Sequence, residues 1–382
     1  MTRVLHIGSG NLYGGVETLL TTLARYRQSC PALDQQFALC FDGRLKRELL
    51  AHGATVHDLG GVRVRQPLSI WKARQRLFNL IEENQIDVVI CHMAWTQAIF
   101  GSVARASRVP VAMWQHMASN GRHWLELLAR WSGPDLAICN SEYSAREFRG
   151  SFSSIPIEVV YYPVAAPTIS YSRVDRAAVR SEFTTPTEAV VVVHSSRMQE
   201  WKGHRLLMQA ASRIKSNNQW ILWFVGGAQR ELEQSYLSSL RSTAAELGIE
   251  DRVRFLGQRD DVDRLLAASD IHCQPNISPE PFGITFIEAL YAGIPVVTTK
   301  IGGATEIVND SCGVMVPPDD PDALAAALEQ LIIYGERRRQ LGSAGPARAR
   351  ELCDPVTQIE KVRKLLAGIE RGSKRDRVAE AY

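Results

Sequence analysis

The chain has 382 residues, 45% of them hydrophobic and 22% charged, enough apolar material for two folded domains and no sign of extensive disorder. Its 44 basic and 41 acidic residues leave a net charge of +3, too small an excess for a nucleic-acid binder, which concentrates basic residues on one face. The seven cysteines are scattered without metal-ligand or redox spacing, and read as buried hydrophobes of a reducing compartment.

Met1-Thr2-Arg3 runs straight into the first strand, with no room for a signal peptide. No apolar run nears the roughly 20 residues that cross a bilayer, so a cytoplasmic protein is expected. Strands are predicted at Val4–Ile7, Gln36–Phe41, Thr55–Leu59, Asp87–Cys91, Pro110–Trp114, Leu136–Cys139 and Glu158–Tyr161. Several are apolar on both faces, as parallel strands covered by helices are. Helical patterns such as Val16–Gln28 and Trp95–Ser107 lie between them, so a doubly wound sheet is expected. A stretch rich in proline and small polar residues, from Pro163 to Glu188, interrupts the alternation and reads as a connection between domains. Strands then resume at Ala189–His194, Ile221–Val225, Arg252–Leu256, Asp270–Gln274, Val296–Thr298 and Val314–Val316. Helices are predicted at Gly203–Lys215, Arg230–Leu247, Asp260–Ala268, Gly283–Ala292 and Pro355–Ile369. Arg337-Arg338-Arg339 and Arg371 to Arg377 read as solvated faces or a tail.

Three segments carry chemistry. The first is Gly8-Ser9-Gly10-Asn11-Leu12-Tyr13-Gly14-Gly15, a glycine-rich turn from the first strand into the first helix. Glycines let backbone approach a ligand, and helix-start N–H groups favour an anion. Its spacing departs from the dinucleotide fingerprint by one residue. The second is Ser196 to His204, where Arg197 and Lys202 place two cations beside a helix start, suited to a diphosphate. The third is Glu280-Pro281-Phe282-Gly283-Ile284-Thr285-Phe286-Ile287-Glu288. With a helix starting near Gly283, Glu280 lies in the loop before it and Glu288 about 8 Å along its axis. The backbone N–H groups of Phe282, Gly283, Ile284 and Thr285 then lie between the two carboxylates. His116 ends the strand-like run Val111 to His116, at the carboxyl end where open parallel sheets bind ligands. Asp261-Val262-Asp263 has a spacing used for divalent ions, but Asp260 or Asp261 is more simply a helix N-cap. His123 to Trp131 is amphipathic with aromatic ends. A helix packed in a core is the simpler reading of that stripe, and contact with lipid the other.

These segments together resemble the family 4 retaining glycosyltransferases, also called glycosyl transferases group 1, over nearly the whole chain and most specifically from Ser195 to Pro318. The resemblance implies the GT-B fold: an α/β protein of two Rossmann-like doubly wound domains facing across a cleft. Residues 1–165 would form the acceptor-side domain and 186–354 the donor-binding domain, with 166–185 as connection. The helix at 355–382 would pack back on the first domain. It further implies that Glu280 contacts the transferred sugar and that Phe282, Gly283, Ile284 and Thr285 hold sugar and distal phosphate. Glu288 would bind the ribose, and Arg197 and Lys202 the diphosphate. Gly14 and Gly15 would close over donor phosphate, His116 would lie near the reacting sugar, and Gly302 to Glu306 would form a further turn at the cleft. The expected activity is metal-independent transfer, with retention, from a UDP-sugar or a GDP-sugar to a sugar, lipid-linked or small-molecule hydroxyl. It needs no cofactor and no nucleic acid, and leaves peripheral membrane contact open. Rival readings are a nucleotide-sugar 2-epimerase of the same fold, a non-catalytic sugar-nucleotide-binding subunit and, from another class, a nucleotide-dependent oxidoreductase suggested by the first turn and Asp42.

Overall fold

The computed structural model describes all residues except 12, 118–122, 153, 168–173, 216–218 and 380–382, and side chains as far as 370. Leu12 of the glycine turn, part of the expected connection, and the side chains of Arg371 to Arg377 therefore lie outside the described residues. The chain divides into two compact units, Met1–Ala165 with Cys353–Tyr382, and Ala166–Leu352.

The first unit is built on β1 (Thr2–Gly8), β2 (Leu33–Leu39), β3 (Thr55–Asp58), β4 (Val88–His92), β5 (Val111–Gln115), β6 (Leu136–Cys139) and β7 (Ile157–Val159). Its helices are α1 (Gly15–Arg25), α2 (Arg44–Ala51), α3 (Pro67–Glu83), α4 (Met93–Ala106), α5 (Trp124–Trp131) and α6 (Glu142–Arg149). In the second unit α7 (Arg176–Glu182) precedes β8 (Val190–Ser195), α8 (His204–Ala211), β9 (Trp220–Val225) and α9 (Glu231–Glu246). There follow β10 (Val253–Gly257), α10 (Val262–Ala267), β11 (Ile271–Gln274), α11 (Ile284–Tyr291), β12 (Val296–Thr299) and α12 (Ala304–Ile307). The unit ends with β13 (Gly313–Val316), α13 (Pro321–Ile333) and α14 (Gly335–Cys353), and the chain with α15 (Pro355–Ala379).

Both sheets are parallel, ordered β3-β2-β1-β4-β5-β6-β7 and β10-β9-β8-β11-β12-β13. Strands such as Val190-Val191-Val192-Val193 are buried throughout, because helices cover both faces and β-branched side chains suit that setting. The apolar interior of the first unit gathers Leu5, Ile7, Leu77, Val89 and Phe100. That of the second gathers Val192, Leu207, Phe224, Leu240 and Leu328. Helix starts are capped locally: the Ser141 hydroxyl accepts from the Ser144 N–H at 2.9 Å and the Asp320 carboxylate from the Ala323 N–H at 2.8 Å. Arg338, expected to be solvated, instead donates to the carbonyls of Leu331 and Ile332 at 2.5 and 3.0 Å, where it satisfies the end of α13. At the other end of the chain, Val164 N–H donates to the Cys353 carbonyl at 2.9 Å and the Thr2 hydroxyl to Glu370 at 3.1 Å.

In each sheet the strand order reverses beside the first strand of the unit, between β1 and β4 and between β8 and β11. Loops leaving the carboxyl ends of those strands flank the crevice where doubly wound sheets bind ligands.

Candidate functional site

In the second unit the chain leaves β8 at Ser195 and enters the loop holding Arg197 and Lys202. Gly203 closes that loop with φ 79°, and a Cβ there would stand 1.8 Å from the Pro275 carbonyl oxygen. Only glycine meets both demands, so the loop is pressed against the segment leaving β11. His194 Nε2–H donates to the Lys202 carbonyl at 2.9 Å, and Ile277 N–H to the Trp201 carbonyl at 2.9 Å. The Lys202 ammonium pairs with the Glu280 carboxylate and stands 4.0 Å from the centroid of the Trp201 ring. Glu280, only 9% exposed, also accepts from Gln274 Nε2 at 3.1 Å and Asn276 Nδ2 at 3.4 Å. The Thr285 hydroxyl donates to Gln274 Oε1 at 3.2 Å. One carboxylate is thus held by one cation and two amides, a desolvated charge with hydrogen-bonded partners.

Helix α11 begins beyond this cluster. Its N-cap Gly283 has φ 108° and offers no side-chain cap, and Phe282 beside it is buried at 2%. Ile284 and Thr285 form the first turn of the helix, whose dipole favours an anion. Gly302 and Gly303 back the cluster. A Cβ on Gly302 would meet the Glu280 carbonyl at 2.5 Å, one on Gly303 the Pro281 carbonyl at 2.5 Å, and the Gly303 N–H donates to the Glu280 carbonyl at 2.7 Å. The structure therefore brings Lys202, Glu280 and Thr285 together.

Arg197 lies outside that group. Its guanidinium is 3.9 Å from Glu233, a buried carboxylate that also accepts from Gln199 Nε2 at 3.0 Å and the Gln229 N–H at 2.6 Å. Glu288 is partly buried on α11. Loss of water pushes its carboxyl up to about 7, with the charge of Asp263 adding to the effect. Asp261 occupies the N-cap position of α10 but makes no cap hydrogen bond. Its carboxylate instead accepts from Arg259 Nε and Nη2, both at 2.8 Å, and Arg264 at 3.4 Å, because a bidentate guanidinium outcompetes a neutral N–H.

In the first unit Gly14 is the N-cap of α1 and Gly15 its first residue. Gly10 has φ 86°, and a Cβ there would meet the Phe41 carbonyl at 2.6 Å, so the strained position of the turn precedes the glycine pair. Tyr13 donates to Glu48 on α2 at 2.5 Å and lies 4.0 Å under the Arg44 guanidinium. His116 follows β5 and is buried at 5%. Both of its ring nitrogens are engaged: Nε2 with His92 Nδ1 at 2.9 Å and Nδ1 with the Tyr162 hydroxyl at 2.6 Å. A ligand reaches a nitrogen of this ring only by displacing one of those partners.

Sequence reasoning missed Gln274, Asn276, Trp201 and Glu233 as members of the second-unit cluster. Gln274 did carry a signal, since a polar residue closing a buried strand at the ligand end of a parallel sheet is unusual without a partner.

The chain matches the model of the glycosyl transferases group 1 family over residues 175–348 and that of glycosyltransferase family 4 over residues 13–166. It is 29% identical over 346 residues to the lipopolysaccharide core biosynthesis glycosyltransferase LpsD of Rhizobium meliloti, covering 90% of this chain and 92% of that one. A GDP-mannose-dependent phosphatidylinositol monomannoside mannosyltransferase of Corynebacterium glutamicum is 27% identical over 292 residues, 70% of this chain and 73% of its own. Among solved structures, HepE of Anabaena in complex with UDP-glucose superposes with a TM-score of 0.83 at 26% identity, over 96% of this chain and all of that one (100%). The sheet order, the site at the ends of β8 and β11, and these matches agree: the chain belongs to the group 1, family 4 glycosyltransferases and has their GT-B fold.

Proposed function

We propose that the protein transfers a sugar, with retention of anomeric configuration, from a UDP-sugar to a hydroxyl acceptor without a metal ion. In this reading residues 186–354 hold the donor and residues 1–165 the acceptor. The observation that carries it is the Lys202–Glu280 pair beside the start of α11: a cation for the diphosphate and a carboxylate for the sugar in one place. Glu280 accepts hydrogen bonds from sugar hydroxyls, Glu288 from the ribose, and Lys202, Arg197 and the first turn of α11 receive the diphosphate. As the anomeric C–O bond breaks, charge grows on the leaving phosphate, and those groups stabilise it more in the transition state than before. The acceptor oxygen bonds to the anomeric carbon on the same face, and its proton passes to the leaving phosphate. Two cations supply the positive charge that metal-dependent enzymes take from a divalent ion, while Asp261 is already committed to Arg259 and Arg264.

UDP is favoured over GDP because HepE binds UDP-glucose at the higher structural coverage; the GDP-mannose-dependent relative keeps GDP-sugars as the second reading. LpsD's role in lipopolysaccharide core biosynthesis supports a saccharide acceptor, lipid-linked or free. Incubating purified protein with each nucleotide sugar in excess chelator, with and without saccharide acceptors, tests the reading. Acceptor-dependent release of UDP supports it. Conversion of donor alone to its 2-epimer selects the epimerase, and binding without turnover a non-catalytic subunit.

A further inference from the structure

The first unit contains a row of buried histidines that glycosyl transfer, as set out above, does not explain. His6 on β1, His92 on β4 and His116 after β5 are 1%, 1% and 5% exposed. His6 Nδ1 lies 3.0 Å from His92 Nε2, His92 Nδ1 lies 2.9 Å from His116 Nε2, and His116 Nδ1 lies 2.6 Å from the Tyr162 hydroxyl. The rings lie edge to edge along the row, with centroids 5.3 Å apart for His6 and His92 and 5.1 Å for His92 and His116, whose planes are 6° apart. Phe37 covers the far face of His6 at 5.2 Å.

A neutral imidazole has one N–H, so each link takes one proton and the row has a direction: turning one ring's tautomer turns all three. Burial drives His6 and His116 to about 3 and His92 well below the ordinary imidazole value, which keeps the row neutral and closes it to net proton transport. The direction is set at the Tyr162 end. A phenol is a stronger acid than a neutral imidazole and a bare imidazole nitrogen is the better acceptor, so across 2.6 Å the Tyr162 hydroxyl donates to His116 Nδ1. His116 then carries its proton on Nε2 and donates to His92 Nδ1, and His92 Nε2–H donates to His6 Nδ1.

We propose that His6 and His92 are positioning residues that hold His116 as its Nε2–H tautomer, keeping Nδ1 as an acceptor for a hydroxyl. That hydroxyl is Tyr162's in the empty protein and a substrate sugar hydroxyl in the reacting complex. The inference rests on the reading of His116 as a residue of the sugar site. It adds that the substrate group facing it must be a hydrogen-bond donor.

The test is long-range proton–nitrogen NMR of the full chain labelled with ¹⁵N-histidine, with His116 assigned from His116→Gln. In the wild type His116 should be protonated on Nε2 and bare on Nδ1, unchanged from pH 5.5 to 8. His92→Phe keeps an aromatic ring in the row but removes the acceptor, and should give mixed tautomers at His116 with turnover lowered roughly tenfold or more. His92→Gln, which supplies a carbonyl in place of Nδ1, should restore both. A wild-type His116 protonated on Nδ1 or titrating in that range overturns the proposal, as does a folded His92→Phe with unchanged His116 signals. If His92→Phe does not fold, the wild-type spectrum and His6→Phe, one link further away, decide in the same way. Spectra as expected from a protein that turns over no nucleotide sugar leave the tautomer lock standing and refute the transferase reading instead.

Discussion

Lys202 and Glu280 have side chains 14% and 11% exposed, so each depends on the other to offset lost hydration. Removing either leaves a buried charge, yet the two losses differ in function. Lys202→Ala should lower kcat by about 10²–10³, as losing a donor to a developing anion does, and should also weaken binding of UDP itself. Glu280→Gln should lower transfer comparably while UDP, which has no sugar, binds nearly as well; titration calorimetry with UDP and UDP-glucose separates the two. Glu288 adds a pH signature. Its folded-state value of about 7 lies above the ordinary 4.5, so between those values the folded protein binds more protons than the unfolded. Stability contributed at this site is therefore highest at low pH and falls as pH rises from about 4.5 through 7. Glu288→Gln should raise the melting temperature of the empty protein at pH 8 and leave it nearly unchanged at pH 4. UDP-glucose, whose diphosphate does not titrate here, should bind wild type more tightly as pH rises through about 7, because the ionised carboxylate accepts from the ribose; Glu288→Gln should flatten that dependence.

In the second unit, glycines at chain crossings let the loops of the site press against one another. Gly203→Ala puts a methyl where the Pro275 carbonyl stands and strains a left-handed backbone, at a cost of about 1–3 kcal/mol for the backbone alone. It should lower the melting temperature and, by shifting the loop of Arg197 and Lys202, weaken UDP binding without touching a ligand. Helix α5 makes an opposite point. Its aromatic stripe, read as core from the pattern, is largely outside: Trp131 is 87% exposed, Trp124 49% and Leu127 50%, while Ala129 alone on the helix is buried. Amphipathic pattern locates a boundary between two media without naming them. Among the described residues no helix is long and apolar enough to cross a membrane, and we propose that α5 rests on lipid. Flotation with anionic vesicles should recover the wild type, and Trp124→Ser with Trp131→Ser should lose it; no flotation of the wild type contradicts the contact.

At the scale of the molecule, the doubly wound architecture was legible because short, continuous apolar runs rich in β-branched residues alternate with longer helical periods, and both signals are local. The segments at Lys202, Glu280 and Glu288 were legible for the same reason, each being contiguous. The rest of the site was not. Asn276 acquires meaning only when the segment leaving β11 carries it beside Glu280, and Glu233 only when α9 brings it near Arg197. His6, His92 and His116 are each an unremarkable strand residue until the order β1-β4-β5 aligns them. Of Asp260 and Asp261, read as alternatives for a helix N-cap, Asp261 does stand at that position, but that its carboxylate turns to Arg259 is visible only from side-chain geometry. Strand order converts separate residues into a site, and no single segment records it.

The most direct test of the central claim is a melting-temperature screen of wild type, Lys202→Ala and Glu280→Gln against UDP, UDP-sugars, GDP and GDP-sugars at pH 8, in chelator. A ligand at about 100 times its Kd stabilises the folded state by roughly 2.7 kcal/mol, a shift of about 5–11 °C for a domain of this size. The account predicts that shift for wild type with UDP and a UDP-sugar, its loss in Lys202→Ala, and in Glu280→Gln its retention for UDP but reduction for the UDP-sugar. A wild type unmoved by every nucleotide and nucleotide sugar, or shifted equally in all three proteins, would contradict it.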